Sequence, residues 1–289
     1  MDKKICLITG ANAGIGKAAA IQLAAQGCRV IMVCRDTERG QKALEEVKRA
    51  SGSSAVELMI ADMSLQSSIR ELAKDYPYDR LDVLISNAAA FDLAQKHPEK
   101  TAEDIESVWA TNHIGPVLLI DLFLERLKRS RQGRILTVAS QGLVMYPGLK
   151  IRFDDPEFNK GGFSVPKAYY HSKLAQVMYT YWLADRLKGT GVTVNCIRVT
   201  NVKVDISRYP GISRLERFAY SIKSKKSISP EEMAQTYTWL AISDEAASFS
   251  GQYFDHHRRP VDSSSYSRDN NEAEKLMEMT RKYIRPEAL

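Results

Sequence analysis

Cysteine is scarce in this chain, and its few cysteines show no pattern of a disulfide framework or a metal site. The 289 residues include four cysteines, and no two of them have C-x-x-C spacing. Each lies within or beside an apolar run, so we expect buried thiols in a reducing compartment. The spacing indicates neither a disulfide-stabilised scaffold nor a zinc site. The four are Cys6, Cys28, Cys34 and Cys196.

Long apolar runs are also missing. No uninterrupted apolar stretch reaches the about 18 residues that a membrane-spanning helix needs. The first residues, MDKKICLITGANAGIG, enter a strand and a glycine turn without the pattern of a signal peptide. We therefore expect a soluble, cytoplasmic protein with no transmembrane segment.

The net charge of +6 is not concentrated in one basic segment. Basic residues collect in three short runs, 126–134, 223–226 and 257–259, which lie far apart in the sequence. Nucleic-acid binding would need one continuous basic face, preferably with interleaved aromatic residues. The runs are therefore interpreted as solvated surface, and no nucleic-acid partner is expected.

What the sequence does contain is a regular alternation of strand and helix patterns. Continuously apolar or β-branched runs are typical of strands covered on both faces. They occur at 4–9, 28–34, 55–61, 81–86, 134–140 and 192–199, with a weaker one at 251–255. Helical patterns occur at 14–26, 37–51, 65–75, 112–129, 166–188 and 272–283. The alternation predicts an α/β protein with a doubly wound parallel sheet, the Rossmann fold, of about seven strands with helices on both faces.

No linker, repeat or low-complexity tract divides the chain, so residues 1–289 are expected to form a single domain. Two stretches interrupt the alternation. Residues 141–168 are rich in proline and glycine, and residues 200–229 hold a loop and a basic helical piece. Long loops on a rigid scaffold are commonly functional. We therefore expect these two insertions to carry function.

A glycine-rich turn follows the first strand. It reads T-G-A-N-A-G-I-G, and a helix begins immediately. Glycines let the backbone approach a pyrophosphate, and the helix N-terminus offers unpaired N–H groups to it. The spacing alone is also compatible with a plain tight turn, but the position between strand and helix favours dinucleotide binding. The residues expected at the cofactor are Gly10, Asn12, Gly14, Ile15 and Gly16.

The end of the second strand bears on the choice of cofactor. Arg35 suits the 2′-phosphate of NADP(H), whereas an acidic residue such as Asp36 would bind the ribose hydroxyls of NAD(H). Lys17 adds a cation near the glycine turn, and Asp36 is interpreted as the N-cap of helix 37–51. NADP(H) is therefore favoured. Asp62, after the third strand, either accepts a hydrogen bond from adenine or caps a helix.

Tyr169 and Lys173 stand four residues apart at the start of helix 166–188, so they share one face. A nearby ammonium stabilises a phenolate and lowers the phenol pKa from its usual value of about 10, which suits a general acid or base. The motif Y-x-x-x-K also occurs by chance, and a surface pair is the alternative. Tyr170 is a competitor, but it lies about a hundred degrees around the helix.

Together these motifs resemble the short-chain dehydrogenase/reductase superfamily over nearly the whole chain. The glycine turn, N-A-A after the fourth strand, Ser140 at the end of the fifth and Tyr169-x-x-x-Lys173 follow the family order. The resemblance implies an oxidoreductase in which Tyr169 exchanges a proton with the substrate oxygen and Ser140 hydrogen-bonds that oxygen. It implies that Lys173 holds the nicotinamide ribose and lowers the tyrosine pKa. Asn112, in T-N-H-I-G, would help to place Lys173 through water.

The resemblance also implies cofactor contacts beyond the glycine turn and Arg35. They are Asp62, Met63, Asn87, Ala88, Tyr169, Lys173 and Val202. Much of the superfamily forms dimers through the helices that correspond to 112–129 and 166–188. A homodimer built on these faces is one expectation, and a chain whose long insertion and tail cover them is the alternative.

Within the superfamily the chain is most similar to the retinol dehydrogenase-like reductases. The similarity rests on T-G-A-N in the turn, C-R-D after the second strand and K-A-Y-Y-H-S-K-L-A in the catalytic helix. It implies a lipophilic carbonyl or alcohol substrate, with 141–168 and 200–229 shaping the pocket. The candidate lining residues are Met145, Tyr146, Leu149, Ile151 and Phe163.

One departure from the family pattern keeps other functions open. The family has Pro-Gly after the sixth strand, where this chain has Val199-Thr200. Val202 keeps its family position, but Val204 replaces a threonine expected at the nicotinamide. We therefore expect a hydrogen bond to the cofactor to be missing or supplied by Asn201. The alternatives are an NADP(H)-binding regulator and a non-redox or redox-neutral enzyme on the same fold.

Overall fold

The structure is a computed structural model that describes residues 3–203 and 227–284. Most of the insertion expected at 200–229 lies outside these residues, together with Val204 and the basic run 223–226. The description below concerns the two described ranges.

Seven parallel strands form one sheet, and each is an apolar run predicted from the sequence. They are β1 Ile5–Thr9, β2 Arg29–Cys34, β3 Val56–Ile60, β4 Val83–Ser86, β5 Gly133–Ser140, β6 Val192–Val199 and β7 Gln252–Phe254. Their order across the sheet is β3-β2-β1-β4-β5-β6-β7. The strand order reverses between β1 and β4, and ligands of such sheets bind in the crevice at that point. The predicted doubly wound fold is confirmed.

Helices cover both faces of the sheet. They are α1 Gly14–Ala25, α2 Thr37–Ser51, α3 Gln66–Asp75, α4 Ser107–Lys128, α5 Val165–Arg186, α6 Pro230–Ile242 and α7 Asn270–Tyr283. Alternate residues of β1 point to opposite faces: Cys6 and Ile8 pack with α1, α2 and α6, whereas Ile5 and Leu7 pack with α3, α4 and α5. Both faces are therefore buried, which explains why the strands are apolar throughout.

Helix α6 was not among the helices predicted from the sequence, although its start carries a strong signal. Ser229 caps the helix by accepting a hydrogen bond from the Glu232 amide at 3.1 Å, and Pro230 occupies the first turn. Serine, proline and glutamate in this order are typical of a helix N-terminus. The helix buries Met233, Tyr237 and other side chains against the sheet.

Helix α4 begins five residues earlier than the predicted 112–129. The buried Glu106 carboxylate accepts hydrogen bonds from the amides of Val108 and Trp109 at 3.0 and 2.8 Å, and this cap fixes the start. A single π-helical turn interrupts the helix at Ala110–Ile114. By length and composition α4 could cross a membrane, but 72% of its apolar window is buried, so core packing accounts for its composition.

The four cysteines are free and buried, as the sequence predicts. Residues 141–168 form the expected excursion between β5 and α5, and they open with a 3₁₀ turn at Gln141–Met145.

Candidate active site

The glycine turn between β1 and α1 has a backbone that requires glycine. Gly10 and Gly14 have positive φ angles of 67° and 55°, in the left-handed region that favours glycine. A Cβ on Gly16 would lie 2.5 Å from the carbonyl oxygen of Gly10 and from Nδ2 of Asn87. Close packing therefore excludes a side chain at Gly16, whereas at Gly14, where a Cβ would meet nothing within 4 Å, the positive φ is what favours glycine.

Asn87 and Ala88, both expected at the cofactor, brace this turn from the end of β4. The Asn87 Nδ2 group donates to the carbonyl oxygen of Thr9 at 2.9 Å. The amides of Asn87 and Ala88 both donate to the Thr9 hydroxyl at 3.0 Å. Tyr237 of α6 donates to Oδ1 of Asn87 at 3.3 Å. These bonds join β1, β4 and α6 beneath the glycine turn.

The N-terminus of α1 has the features of an anion site. Its N-cap, Ala13, provides no side-chain hydrogen bond, and no acidic residue lies in the first turn. The first amides of a helix lack partners within the helix, and the helix dipole attracts negative charge to them. Asn12 and Ile15 lie half-buried on this turn. The turn therefore fits the pyrophosphate of a dinucleotide.

Two cations stand at the end of β2. The Arg35 side chain is 76% exposed, and its Nε lies 4.0 Å from Oδ2 of Asp62. Asp36 accepts a hydrogen bond from the Arg39 amide at 2.8 Å, which confirms its prediction as the N-cap of α2. Arg39, 73% exposed, adds a second guanidinium that the sequence analysis missed.

Three other residues near the cofactor turn have structural partners. Lys17, which the sequence offered as a second cation beside Arg35, forms an ion pair with Glu46 at 2.7 Å. Its charge is therefore already balanced within the protein. Asp62 accepts hydrogen bonds from the amide and the hydroxyl of Ser64 at 2.8 and 2.7 Å, which stabilise the turn before α3. The Met63 side chain is buried in the core, which leaves its main chain for a cofactor contact.

Lys173 is buried on α5 and faces the end of β5. Its side-chain ammonium donates to the carbonyl oxygen of Val138 at 2.9 Å and lies 5.5 Å from the centre of the Tyr169 ring. Burial lowers the pKa of Lys173 to about 8, so the group is mainly protonated at neutral pH. Val138 is two residues before Ser140, so Lys173 bonds to the strand that ends in Ser140 and also lies against the Tyr169 ring.

Ser140 and Tyr169 are held by different neighbours. The Ser140 hydroxyl oxygen accepts a hydrogen bond from the Gly142 amide at 3.1 Å, and its carbonyl oxygen accepts one from Tyr253 at 3.3 Å. The half-buried Tyr169 ring lies 4.6 Å from the ring of Phe91. Phe91 follows the N-A-A motif and was not predicted as a site residue.

Tyr170 is a packing residue. Its ring lies 4.8 Å from that of Tyr146, and a Cβ on Gly142 would overlap its hydroxyl group. Burial raises the pKa of Tyr170, which disfavours its phenolate. The contact with Lys173 belongs to Tyr169, as the helix geometry predicts.

Asn112 lies in the π-helical turn of α4, and its side chain joins three segments. Its Oδ1 accepts from the Ala90 amide at 2.7 Å, and its Nδ2 donates to the Ala90 carbonyl oxygen and to the Ser172 hydroxyl, both at 3.1 Å. Ser172 in turn donates to the carbonyl oxygen of Tyr169 at 2.7 Å. Asn112 therefore ties the loop after β4 to the catalytic stretch of α5.

The chain passes the expected nicotinamide position without backbone strain. Val199 pairs with Ser140 as the last residue of β6, and Val202 forms a parallel bridge with Ile228. No residue within 199–203 has a positive φ. The replacement of Pro-Gly by Val199-Thr200 is thus accommodated by conformations that any residue adopts.

The five expected pocket residues do not share one environment. Met145 is 77% exposed and Tyr146 packs on Tyr170, whereas Leu149 and Ile151 belong to a core cluster with α4 and α5. Ile151 is a core residue because it is 6% exposed. Phe163 packs against the same small cluster as Tyr169.

Comparison with known proteins identifies the class. The family model described as short chain dehydrogenase matches residues 4–150, and the chain belongs to the short-chain dehydrogenase/reductase superfamily. Within it the chain is retinol dehydrogenase-like. It is 37% identical over 255 residues to retinol dehydrogenase 11 of Mus musculus, which covers 87% of this chain and 77% of the relative. It is 36% identical over 277 residues to retinol dehydrogenase 12 of Homo sapiens, and the match covers 94% of this chain and 84% of the relative.

Solved structures show the same fold. An uncharacterized protein from Mycobacterium paratuberculosis superimposes with a TM-score of 0.75 at 26% identity, covering 97% of this chain and 93% of that chain. A short chain dehydrogenase from Shigella flexneri, complexed with NADP, superimposes with a TM-score of 0.66 at 23% identity. The superposition covers 89% of this chain and 98% of that chain. The protein is therefore a dehydrogenase/reductase of a superfamily that uses nicotinamide cofactors.

Proposed function

We propose that this protein transfers hydride between NADP(H) and the carbonyl or alcohol group of a lipophilic small molecule. The observation that carries the proposal is the buried Lys173 ammonium, which lies against the Tyr169 ring and is bonded to the strand that ends in Ser140. Burial of an ammonium without a carboxylate partner is unfavourable, and such groups are concentrated at functional sites.

The mechanism follows from the hydrogen-bonding capacity of each group. The nicotinamide, when bound, supplies or accepts the hydride. During reduction the Tyr169 hydroxyl donates its proton to the carbonyl oxygen, and during oxidation it takes the proton back. The Ser140 hydroxyl accepts from Gly142 and can donate its own hydrogen to the same oxygen. The Lys173 ammonium stabilises the negative charge that develops on Tyr169.

The choice of NADP(H) rests on charge at the end of β2. Arg35 and Arg39 place two exposed guanidinium groups there, whereas the Asp36 carboxylate is engaged as a helix cap. Guanidinium groups bind phosphate with charge-assisted hydrogen bonds. The 2′-phosphate of NADP(H) therefore has partners at this position.

The choice of a lipophilic substrate rests on the apolar surface around Tyr169. Phe91 covers one side of the Tyr169 ring, and Tyr170 and Tyr146 continue the row of aromatic rings. Exposed apolar side chains adjoin this row on both flanking loops, among them Leu93 and Met145. The relatives are named retinol dehydrogenases, which makes retinoid alcohols and aldehydes the first substrates to assay.

The proposal is tested by comparing Tyr169→Phe with Tyr170→Phe, which removes the neighbouring hydroxyl. NADPH consumption is followed with a panel of lipophilic aldehydes and ketones that includes retinal. Loss of the general acid is expected to lower kcat by about 10²- to 10⁴-fold in Tyr169→Phe, while Tyr170→Phe keeps a value near that of the wild type. Undiminished turnover by Tyr169→Phe would contradict the mechanism.

The same assay separates the alternatives. Equal molar loss of NADPH and carbonyl is expected for a reductase. Substrate conversion without nicotinamide consumption would indicate a redox-neutral enzyme. Nucleotide binding without any turnover would indicate a regulator.

A further inference from the structure

A cavity of about 300 Å³ lies between the loop after β5 and the segment after β7. Its apolar wall includes Leu143, Leu174 and Val177, and its polar wall includes Arg198 and serines from the segment 263–267. None of the four expected catalytic residues lines it. Tyr253, which does line it, donates to the main-chain carbonyl of Ser140, so the cavity adjoins the catalytic strand end without including the catalytic hydroxyls.

Arg198 is the cation of this cavity. Its side chain is 19% exposed, and its Nε atom is buried without a hydrogen-bond partner among the described residues. The Asp255 carboxylate lies 4.0 Å away, beyond hydrogen-bond distance, and its other oxygen accepts from the amides of His257 and Arg259. Buried donors without acceptors are energetically costly, so an acceptor beside Arg198 would be bound favourably.

Hydroxyl groups extend the polar wall beside Arg198. The Ser264 hydroxyl oxygen accepts from the Ser267 amide at 3.3 Å, which leaves its hydrogen available to a ligand. One carboxylate, that of Asp262, also borders the cavity. It is 89% exposed and forms an ion pair with Arg268 at 2.8 Å, so its charge is balanced outside the cavity.

We propose that this cavity binds a medium-chain aliphatic carboxylate. The carboxylate occupies the polar wall at Arg198 and Ser264, and the chain lies along Leu143, Leu174 and Val177. If each non-hydrogen atom takes about the 30 Å³ of a water molecule, the cavity holds roughly ten such atoms, the size of octanoate. The site is independent of the redox reaction proposed above.

The proposal is tested by calorimetric titration of the full chain, without nucleotide, with octanoate, octan-1-ol and acetate. Octanoate is expected to bind one to one, and the uncharged alcohol and the short anion much more weakly. Arg198→Met removes a charge-assisted hydrogen bond, and its affinity for octanoate is expected to be roughly ten- to a hundredfold lower than that of the wild type. Arg131→Met, which removes an exposed arginine far from the cavity in the fold, serves as the matched control and keeps the affinity.

A second variant tests the cavity without touching Arg198. Val144 lines the cavity and is 59% exposed, so Val144→Trp can fill its mouth in a folded protein, and octanoate binding is expected to be lost. If Arg198→Met does not fold, Val144→Trp and the comparison with octan-1-ol still test whether the cavity binds the carboxylate. Equal affinity for octanoate and either octan-1-ol or acetate would overturn the proposal, as would unchanged binding by Arg198→Met or Val144→Trp. Lost binding in Phe91→Ala would place octanoate at Tyr169 and would also overturn it.

Discussion

At the scale of single residues, we expect the proposed preference for NADP(H) to depend on Arg35. Its exposed guanidinium lies at the end of β2, and the nearest carboxylate, Asp62, is 4.0 Å away. Arg35→Ala removes a charge-assisted hydrogen bond to the 2′-phosphate. Its affinity for NADPH is expected to fall roughly ten- to a hundredfold, while its affinity for NADH changes little. Fluorescence titration with both nucleotides measures this, with Arg131→Ala as the control. An equal loss for both nucleotides would show that Arg35 does not contact the phosphate.

Residue roles that depend on local geometry were predictable, and those that depend on distant partners were not. The cap by Asp36 and the separation of Tyr170 from Lys173 follow from helix periodicity. The pairing of Lys17 with Glu46 joins two helices, and the packing of Phe91 on Tyr169 joins the loop after β4 to α5, so sequence spacing carries no signal for either contact.

At the scale of elements, the junction of β1 and α1 sets how closely a nucleotide can approach. A Cβ on Gly16 would meet the Gly10 carbonyl oxygen, a backbone atom that cannot move aside. Gly16→Ala is expected to cost about 1–3 kcal/mol of unfolding free energy, as overpacking does, and to abolish NADPH binding. Gly148→Ala is the control, because nothing lies within 4 Å of a Cβ there. Urea unfolding and NADPH titration of both variants check the expectation, and normal binding by Gly16→Ala would refute it.

Element prediction succeeded where burial alone dictates the pattern. The strands other than the edge strand β3 are largely buried on both faces, and the apolar runs mark all seven to within a few residues. Helix α3 was predicted to within one residue, but its cap was not, because the amides of Gln66 and Ser67 donate to Glu103, 37 and 36 residues further along the chain. Helix α6 was missed for a different reason, since its S-P-E-E start was visible in the sequence but no helix was assigned directly after residue 229.

At the scale of the whole molecule, two buried histidines limit stability in acid. Burial lowers the pKa of His113 to about 3 and that of His171 to about 4. Both values lie below the unfolded value of about 6.5, so the unfolded chain binds more protons and stability falls as the pH drops below 6.5. By pH 5 the loss is about 2 kcal/mol for each histidine.

Urea unfolding between pH 7.5 and 5 measures this loss. His171→Gln is expected to reduce the slope of stability against pH, whereas His97→Gln, at an exposed histidine, leaves it unchanged. The quantity compared is the change in unfolding free energy with pH. The urea midpoint at a single pH is not used, because it also reports packing changes caused by the substitution. A slope in His171→Gln equal to that of the wild type would show that His171 does not titrate on unfolding.

Helix α7 has a consequence for how the protein behaves on dilution. Its Leu276 and Met279 pack in one cluster with Trp109 of α4 and Leu174 of α5, and Thr280 bonds to His113 at 2.8 Å. The chain's own C-terminal helix thus covers α4 and α5, which the family resemblance gave as the dimer face, and a second copy would have to displace it. We therefore expect specific activity to stay constant from micromolar to nanomolar protein, with a light-scattering mass near 32.5 kDa. Specific activity that falls on dilution would show instead that two copies of the chain must associate to form an active site.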